Sequence, residues 1–89
     1  MYNITVGICC YKQKRWLYRC LRSLASQNIL KDKFEVVVVN DDPEEDISDV
    51  CNKLADVLNI KIINNSRNIG LPSSLNKILE VSRGRYFVR

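Results

Sequence analysis

The sequence predicts an α/β fold, a three-layer α/β/α sandwich in which helices cover both faces of a mostly parallel β-sheet. Short β-branched segments alternate with amphipathic ones along the whole chain, which is the pattern of successive βαβ units. Residues 34–39 include four consecutive valines, a run typical of a strand buried on both faces in a parallel sheet. Because βαβ crossovers are right-handed, the helices are expected on both faces of the sheet.

Four segments have the length and the β-branched or aromatic content of short strands. They are residues 4–10, 34–39, 60–63 and 86–88. The last of these lies directly before Arg89, where the sequence ends. We therefore expect the chain to be a fragment of a longer protein, with residues 1–89 forming a single domain.

Three amphipathic segments lie between the strands and predict helices. The first extends from Trp16 through Gln27, with Trp16 packed in the core beneath it. Asp46 is a suitable N-cap for the second helix, Pro72 suits the first turn of the third, and Gly84 would end the third. The expected apolar faces are Leu17, Cys20, Leu21 and Leu24 in the first helix, Ile47, Val50, Leu54, Val57 and Leu58 in the second, and Leu75, Ile78, Leu79 and Val81 in the third.

The composition is that of a globular protein. Hydrophobic residues make up 46% of the chain and charged residues 27%, which argues against disorder and against a coiled coil. The sequence contains no apolar run of bilayer length and no evident signal peptide, so we expect a cytoplasmic location, with the inner face of the membrane left open. The four cysteines lack CxxC spacing and no histidine accompanies them, which favours reduced thiols over a zinc site or disulfides.

The net charge of +4 comes mainly from two basic clusters, one within residues 12–22 and one within residues 83–89. Neither has the interleaved aromatic residues of a single-strand binding platform, and the sequence contains no helix-turn-helix or RNA-recognition signature. We therefore expect no nucleic-acid partner. A basic face that meets solvent, anionic lipid or a phosphorylated substrate stays open as an interpretation.

A ligand site is expected where the strands end. Open α/β sheets bind ligands at the carboxyl ends of their strands, and the valine strand ends on Asn40-Asp41-Asp42. A dinucleotide-binding fold fits poorly because the first loop, residues 10–15, lacks the glycines that a pyrophosphate requires, and no Walker motif is present. A response-regulator receiver also fits poorly, since its acidic pair would follow the first strand.

Three loops converge at this edge and together suit a nucleotide. Tyr11 follows the first strand, two aspartates follow the second, and residues 67–70 follow the third. A tyrosine ring can stack on a base, and a carboxylate accepts a hydrogen bond from the ring N–H of uracil, thymine or guanine. Because adjacent carboxylates repel each other, only one of Asp41 and Asp42 should face the ligand closely.

Each of these residues also has a structural interpretation. Tyr11 can simply cover the sheet edge, and Asp41 and Asp42 can hold a turn and a helix N-terminus. We favour the ligand role for Tyr11 and Asp41, and leave Arg67 open between a ligand and a solvent role. Asn68 and Gly70 are expected mainly to shape their loop.

Five short motifs follow one another along the chain. They are Ile-x-x-Tyr-x, Ser-Leu-x-Ser-Gln at residues 23–27, Glu-Val-Val-Val-Val-Asn-Asp-Asp at residues 35–42, Asn-x-Gly-Leu at residues 68–71 with Asn76, and Gly-Arg-Tyr at residues 84–86. Their order and spacing resemble the amino-terminal half of a family 2 glycosyltransferase of the GT-A fold. The resemblance covers nearly the whole chain.

The resemblance implies a function and roles at the strand ends. Members of this family transfer a sugar from a nucleotide diphosphate donor to an acceptor, and the amino-terminal half holds the nucleotide. By resemblance, Tyr11 occupies the place of the aromatic residue beside the base. Asp41 matches the aspartate that meets the base or ribose, and Asp42 completes the acidic pair.

The third loop and the third helix carry further implied roles. Asn68, Gly70 and Asn76 fall on the family's Asn-x-Gly and following asparagine positions, and Arg67 would approach the diphosphate. The departures from the family pattern are Lys12 in place of asparagine, Asp42-Pro43 in place of Asp-Gly-Ser, and Leu75 in place of a frequent arginine. These departures bear on individual residue roles more than on the fold.

The resemblance also implies a divalent metal, Mg²⁺ or Mn²⁺, bound by an Asp-x-Asp motif that would follow Arg89. The chain alone is then expected to lack the metal ligands, the catalytic base and the acceptor site, and so to be inactive and to bind nucleotide weakly. The implied donor is a nucleotide-diphosphate sugar, with a UDP-sugar favoured, and the reaction is inverting. The implied acceptor is a sugar or a lipid-linked group in cell-wall or polysaccharide synthesis.

One alternative belongs to a different class of protein. A non-catalytic α/β module would use the same sheet edge to bind a nucleotide or a partner protein for regulation. An Asp-x-Asp directly after Arg89 in a longer gene would favour the enzyme over this module. We also expect that an exposed sheet edge allows a homo-oligomer to form through strand pairing.

Overall fold

The computed structural model describes residues 4–27, 33–81 and 86–88. The strands are β1 (Ile4–Cys10), β2 (Phe34–Asn40), β3 (Ile60–Asn64) and β4 (Tyr86–Val88). The helices are α1 (Lys14–Ala25), α2 (Ser48–Asn52) and α3 (Leu71–Val81). The alternation of strands and helices that the sequence predicts is therefore confirmed.

The strands form one four-stranded sheet in the order β3-β2-β1-β4, and every neighbouring pair is parallel. The register pairs Cys10 of β1 with Asn40 of β2, and Asn40 with Asn64 of β3, so the last residues of these three strands form one row. The chain moves outward from β1 through β2 to β3 and then crosses back to β4 on the other side of β1. This reversal makes the carboxyl end of β1 the topological switch point of the sheet.

The helices lie on both faces of the sheet, which confirms the three-layer prediction. Side chains alternate along a strand, so Val36 and Val38 of β2 pack in one core cluster and Val37 and Val39 in another. The first cluster includes Leu17 and Leu21 of α1 and residues of α2, and the second includes Ile78 of α3. All four valines of β2 are fully buried, as their continuous apolar run predicts.

Three large side chains that were expected in the core are exposed. Trp16 is 45% exposed, Val57 49% and Leu79 55%, so these predictions were wrong. Successive residues of an α-helix are rotated by about 100° about the helix axis. Trp16 therefore lies well to one side of the buried Leu17, and Leu79 lies to one side of the buried Ile78. Val57 belongs to a turn rather than to a helix.

The helix boundaries also differ from those expected. Helix α1 ends at Ala25, and α2 covers only Ser48–Asn52 before the chain turns. The N-cap position of α2 is Ile47, because Asp46 instead accepts a hydrogen bond from the Ser48 N–H at 2.9 Å in a local turn. Pro72 lies in the first turn of α3, as predicted, whereas Gly84 lies outside the described residues.

We expect Leu17→Ala to lower the free energy of unfolding by about 2–5 kcal/mol, because it leaves a cavity under α1 at a fully buried position. The matched change Leu79→Ala removes the same atoms from an exposed site and should stay within about 0.5 kcal/mol of the parent. Urea unfolding followed by circular dichroism measures both values. Equal losses in the two variants would contradict the packing of α1 described above.

Candidate functional site

The candidate site lies at the carboxyl edge of the sheet, where the chain leaves β1, β2 and β3. Two backbone hydrogen bonds extend the sheet one residue beyond the strands. The Asp41 N–H donates to the Cys10 carbonyl at 2.8 Å, and the Asn65 N–H donates to the Asn40 carbonyl at 2.9 Å. The backbone N–H groups of the first residues after β2 and β3 are therefore paired with the neighbouring strands.

Asp41 is the central acidic residue of this edge. Its side chain is buried, with 6% of the residue exposed. Its Oδ1 accepts hydrogen bonds from the Asn65 side-chain amide at 2.8 Å and from the Ile69 N–H at 2.9 Å, and its Oδ2 accepts from the Gly70 N–H at 3.0 Å. One carboxylate thus connects the end of β2 to the residue after β3 and to the loop that enters α3.

These hydrogen bonds set the protonation of Asp41. Burial is the largest influence and raises the pKa, but hydrogen bonds from the two loop amides and from Asn65, with the charge of Lys77, outweigh it. The pKa of Asp41 therefore lies below its ordinary value. Because the folded pKa is lowered, ionised Asp41 stabilises the fold above its unfolded pKa, and this contribution is lost as the pH falls through the folded value.

A polar network that the sequence did not indicate supports Asp41 from α3. Asn65 is buried, and its side-chain oxygen accepts a hydrogen bond from the Lys77 ammonium group at 2.7 Å. Its side-chain amide also donates to the hydroxyl of the buried Ser74 at 3.3 Å. Ser74 and Lys77 are three residues apart and so share one face of α3. That spacing is visible in the sequence, but the sequence does not show that Asn65 lies opposite this face of α3 and binds both residues.

The loop before α3 contains the expected residues Arg67, Asn68 and Gly70. Gly70 has φ of +85°, in the left-handed region that favours glycine. Its N–H donates to Asp41 and also to the Asn68 side-chain oxygen at 3.1 Å, so Asn68 and Gly70 shape the loop. Arg67 is exposed on the same loop. Asn76 is exposed on α3, about 200° around the helix from Ser74, and so lies away from the Asn65 network.

A cavity of about 130 Å³ brings the first and second loops together. It is lined by Cys9, Cys10, Tyr11, Gln13, Asp41 and Ser74. Tyr11 is 42% exposed, and the Lys12 ammonium group lies 5.3 Å from the centre of its ring. Tyr11 and Asp41, which are thirty residues apart in the sequence, therefore meet at one cavity.

Asp42 lines a different cavity from Asp41. Asp42 lines a space of about 270 Å³, which is bordered by residues 43–46, 64 and 65. Its carboxylate accepts a hydrogen bond from the Glu44 N–H at 3.0 Å, and its own N–H donates to the Asn40 side-chain oxygen at 3.1 Å. The two adjacent aspartates thus border different cavities, and Asp42 has contacts that hold a turn.

The described residues do not by themselves provide a metal centre. Within residues 4–27, 33–81 and 86–88, no group of three or more histidine, cysteine, aspartate or glutamate side chains is arranged to hold an ion. All four cysteines are free thiols, and burial is the main cause of the raised pKa values of Cys10, Cys20 and Cys51. A search of the same residues finds no helix that is long and apolar enough to cross a membrane.

The class of protein follows from this fold and from comparison with known sequences. The model of glycosyl transferase family 2 matches residues 5–89, so the chain belongs to that family, as the resemblance predicts. The chain is also 36% identical over 84 residues to the uncharacterized protein MT1568 of Mycobacterium tuberculosis. That alignment covers 91% of this chain and 24% of the relative.

Solved structures show the same GT-A fold. The structure of Staphylococcus aureus TarS residues 1–349 in complex with UDP has a TM-score of 0.86 and 30% identity, covering 97% of this chain and 26% of that one. The same region of TarS in complex with UDP-GlcNAc matches equally well. The mannosyltransferase PcManGT of Pyrobaculum calidifontis, in complex with GDP-Man and Mn²⁺, has a TM-score of 0.78 at 22% identity, covering 92% and 25% of the two chains. The chain thus spans about a quarter of these relatives.

We expect Asp41→Asn to lower the free energy of unfolding at pH 7 by about 1–3 kcal/mol. The asparagine side chain keeps one acceptor oxygen but replaces the other with an NH₂ group, which would face an N–H donor that the carboxylate now binds. The matched change Asp42→Asn keeps an oxygen for the Glu44 N–H and should cost less. Urea unfolding across pH measures both effects. The difference between Asp41→Asn and the parent should begin to narrow as the pH falls below about 4, the ordinary pKa of an unfolded aspartate, and should go on narrowing as the pH falls through the lower folded pKa of Asp41. A difference that stays constant down to pH 2 would contradict the role of the Asp41 charge.

Proposed function

We propose that this chain forms the donor-nucleotide half of a glycosyltransferase that uses a nucleotide-diphosphate sugar. The observation that carries the proposal is the meeting of Tyr11 and Asp41 at one cavity on the carboxyl edge of the sheet. In an open α/β sheet, this edge at the topological switch point is where ligands bind. Residues 1–89 would then form one structural unit of a larger enzyme.

The two residues have complementary chemistry toward a base. The exposed ring of Tyr11 offers a stacking surface, and stacking tolerates any base because every base has a π-face. Asp41 Oδ2 accepts one hydrogen bond from the described residues, from the Gly70 N–H, so a second acceptor direction is left for a ring N–H. The lowered pKa of Asp41 keeps the carboxylate ionised, and an ionised carboxylate is purely an acceptor.

One observation favours uridine as the base of the donor. TarS, which shares 30% identity with this chain, has been solved with UDP and with UDP-GlcNAc. We therefore propose a UDP-sugar as the donor, and an acceptor that is a sugar or a lipid-linked group.

The loop before α3 is the proposed contact for the diphosphate. Asp41 holds this loop through the Ile69 and Gly70 N–H groups, so the backbone that carries the exposed side chains of the loop is fixed in position. Arg67 on this loop offers a guanidinium group, which is suited to a phosphate. Asn68 and Gly70 would contribute by shaping the loop. Asn76 stays a proposed site residue on its resemblance to the family alone.

The rest of the reaction is proposed to depend on residues beyond Arg89. On the resemblance to the family, we propose that an Asp-x-Asp motif after Arg89 binds Mg²⁺ or Mn²⁺. A metal in that position supplies charge that stabilises the leaving nucleotide diphosphate. The catalytic base, the acceptor site and the inverting outcome belong to the same proposal, as does a site of action in the cytoplasm or at the inner face of the membrane.

We expect UDP added to the ¹⁵N-labelled protein to shift amide signals in the Tyr11, Asp41 and Arg67 loops, because these line or border the proposed site. GDP should act more weakly, and CDP least. The change Tyr11→Ala should weaken UDP binding roughly tenfold, since it removes the stacking surface.

The control for this titration is Tyr18→Ala. Tyr18 is half-buried on α1, with the charged groups of Arg22 and Lys53 5.7 and 5.3 Å from its ring centre, and it does not border the cavity. This variant should bind UDP as the parent does. UDP shifts that lie elsewhere in the chain, or unchanged UDP binding in Tyr11→Ala, would contradict the proposed site.

We expect the 89-residue chain to show no sugar transfer or donor hydrolysis with Mg²⁺ or Mn²⁺, because it lacks the proposed metal ligands. A full-length gene product with Asp-x-Asp after Arg89 should be active and should lose activity when EDTA removes the metal. Release of UDP from UDP-sugars measures both. Metal-dependent turnover by the 89-residue chain would overturn the proposal that the metal ligands follow Arg89.

A further inference from the structure

Gln13 lines the same cavity as Tyr11 and Asp41. It follows Lys12, whose φ of +56° is in the left-handed region that non-glycine residues rarely adopt. This bend turns the chain between the end of β1 and the start of α1. Tyr11 before the bend and Gln13 after it both line the cavity that Asp41 borders.

The backbone of Gln13 is held by the first turn of α1. Its carbonyl accepts the Leu17 N–H at 2.9 Å. This contact fixes the point from which the side chain leaves the backbone. Gln13 therefore borders the cavity from an anchored backbone position.

The side-chain amide of Gln13 does not cap helix α1. Gln13 occupies the N-cap position of α1, where Ser, Thr, Asp or Asn usually accepts a helix N–H. Its side chain makes no such capping hydrogen bond, and the residue is exposed. An amide on an anchored backbone, at the wall of a proposed base site, is free to contact a ligand.

The amide and the carboxylate together match one hydrogen-bond pattern. Asp41 offers an acceptor, and the Gln13 amide offers an N–H donor, at the same cavity. A ring N–H beside a ring carbonyl fits that pair, as in uracil. Cytosine presents a ring nitrogen that accepts and an amino group that donates, so it leaves the Asp41 oxygen facing a lone pair. Such a mismatch is costly because buried polar groups are left unpaired.

We propose that Gln13 determines base specificity, with its side-chain amide donating to a carbonyl oxygen of the base whose ring N–H is bound by Asp41. This inference rests on the proposed donor-nucleotide function and names the base pattern that the site selects. Gln13 acts together with Tyr11, which provides stacking without discrimination between bases.

The test is Gln13→Glu in the full-length gene product, with UDP and CDP affinities measured by isothermal titration calorimetry. Glutamate has nearly the shape of glutamine but cannot donate when ionised, so UDP affinity should fall roughly tenfold. CDP affinity should fall much less, because glutamate can accept from the amino group of cytosine. The UDP-to-CDP affinity ratio is therefore the diagnostic quantity, since added negative charge alone would weaken both diphosphates equally.

Two further variants complete the experiment. Gln27→Glu makes the same change in the exposed segment just past the other end of α1 and should leave the ratio unchanged. Gln13→Ala should also lower the ratio, which guards against an effect particular to glutamate. A parent that binds UDP but whose ratio is unchanged in both Gln13 variants would overturn this inference and leave the donor site intact. A parent that binds none of UDP, GDP or CDP would overturn the proposed function itself.

Discussion

The hydrogen bonding of the Asp41 carboxylate is the interaction on which the rest of the site depends. Its backbone N–H is bound to β1, and its two side-chain oxygens hold Asn65 after β3 and the loop amides before α3. A buried carboxylate is costly unless its acceptors are satisfied, and here three donors and the nearby Lys77 charge satisfy it. One residue therefore ties the end of β2 to β1 through its backbone and to the loop after β3 through its side chain.

The site combines a rigid half with an adaptable half. Asp41, Asn65 and Ser74 are buried and mutually hydrogen-bonded, so their geometry is set before any ligand arrives. Tyr11 and Gln13 are exposed on a short bend and are fixed mainly through the backbone. A preorganised acceptor reduces the ordering that binding would otherwise require, while exposed side chains can adjust to the ring of a base. This division suits a site that admits a nucleotide from solvent.

The sequence predicted the sheet better than the helices. The valine run and the other β-branched segments identified all four strands, most clearly β2, because burial on both faces requires a continuous apolar run. Helix α2 was predicted too long, since its apolar spacing continues through residues that the structure places in turns. Trp16 and Leu79 were misplaced because hydrophobicity alone does not say which side of a helix meets the sheet. Packing on a narrow stripe, such as Leu17 and Leu21 of α1, decides that.

The sequence by itself determined the order of the elements, the acidic pair at the carboxyl edge of the sheet and membership of glycosyl transferase family 2. Only the tertiary structure decided which residues border the proposed base site and which residues support it. It directs Asp41 and Asp42 to different cavities, brings Gln13 to the wall beside Tyr11, and supplies Asn65 and Lys77 as support. The physical reason is that these contacts join residues far apart in the chain, such as Asp41 with Asn65 and with Ile69, 24 and 28 positions away. Local patterns encode strands and turns, whereas such contacts exist only after the sheet has aligned the strand ends.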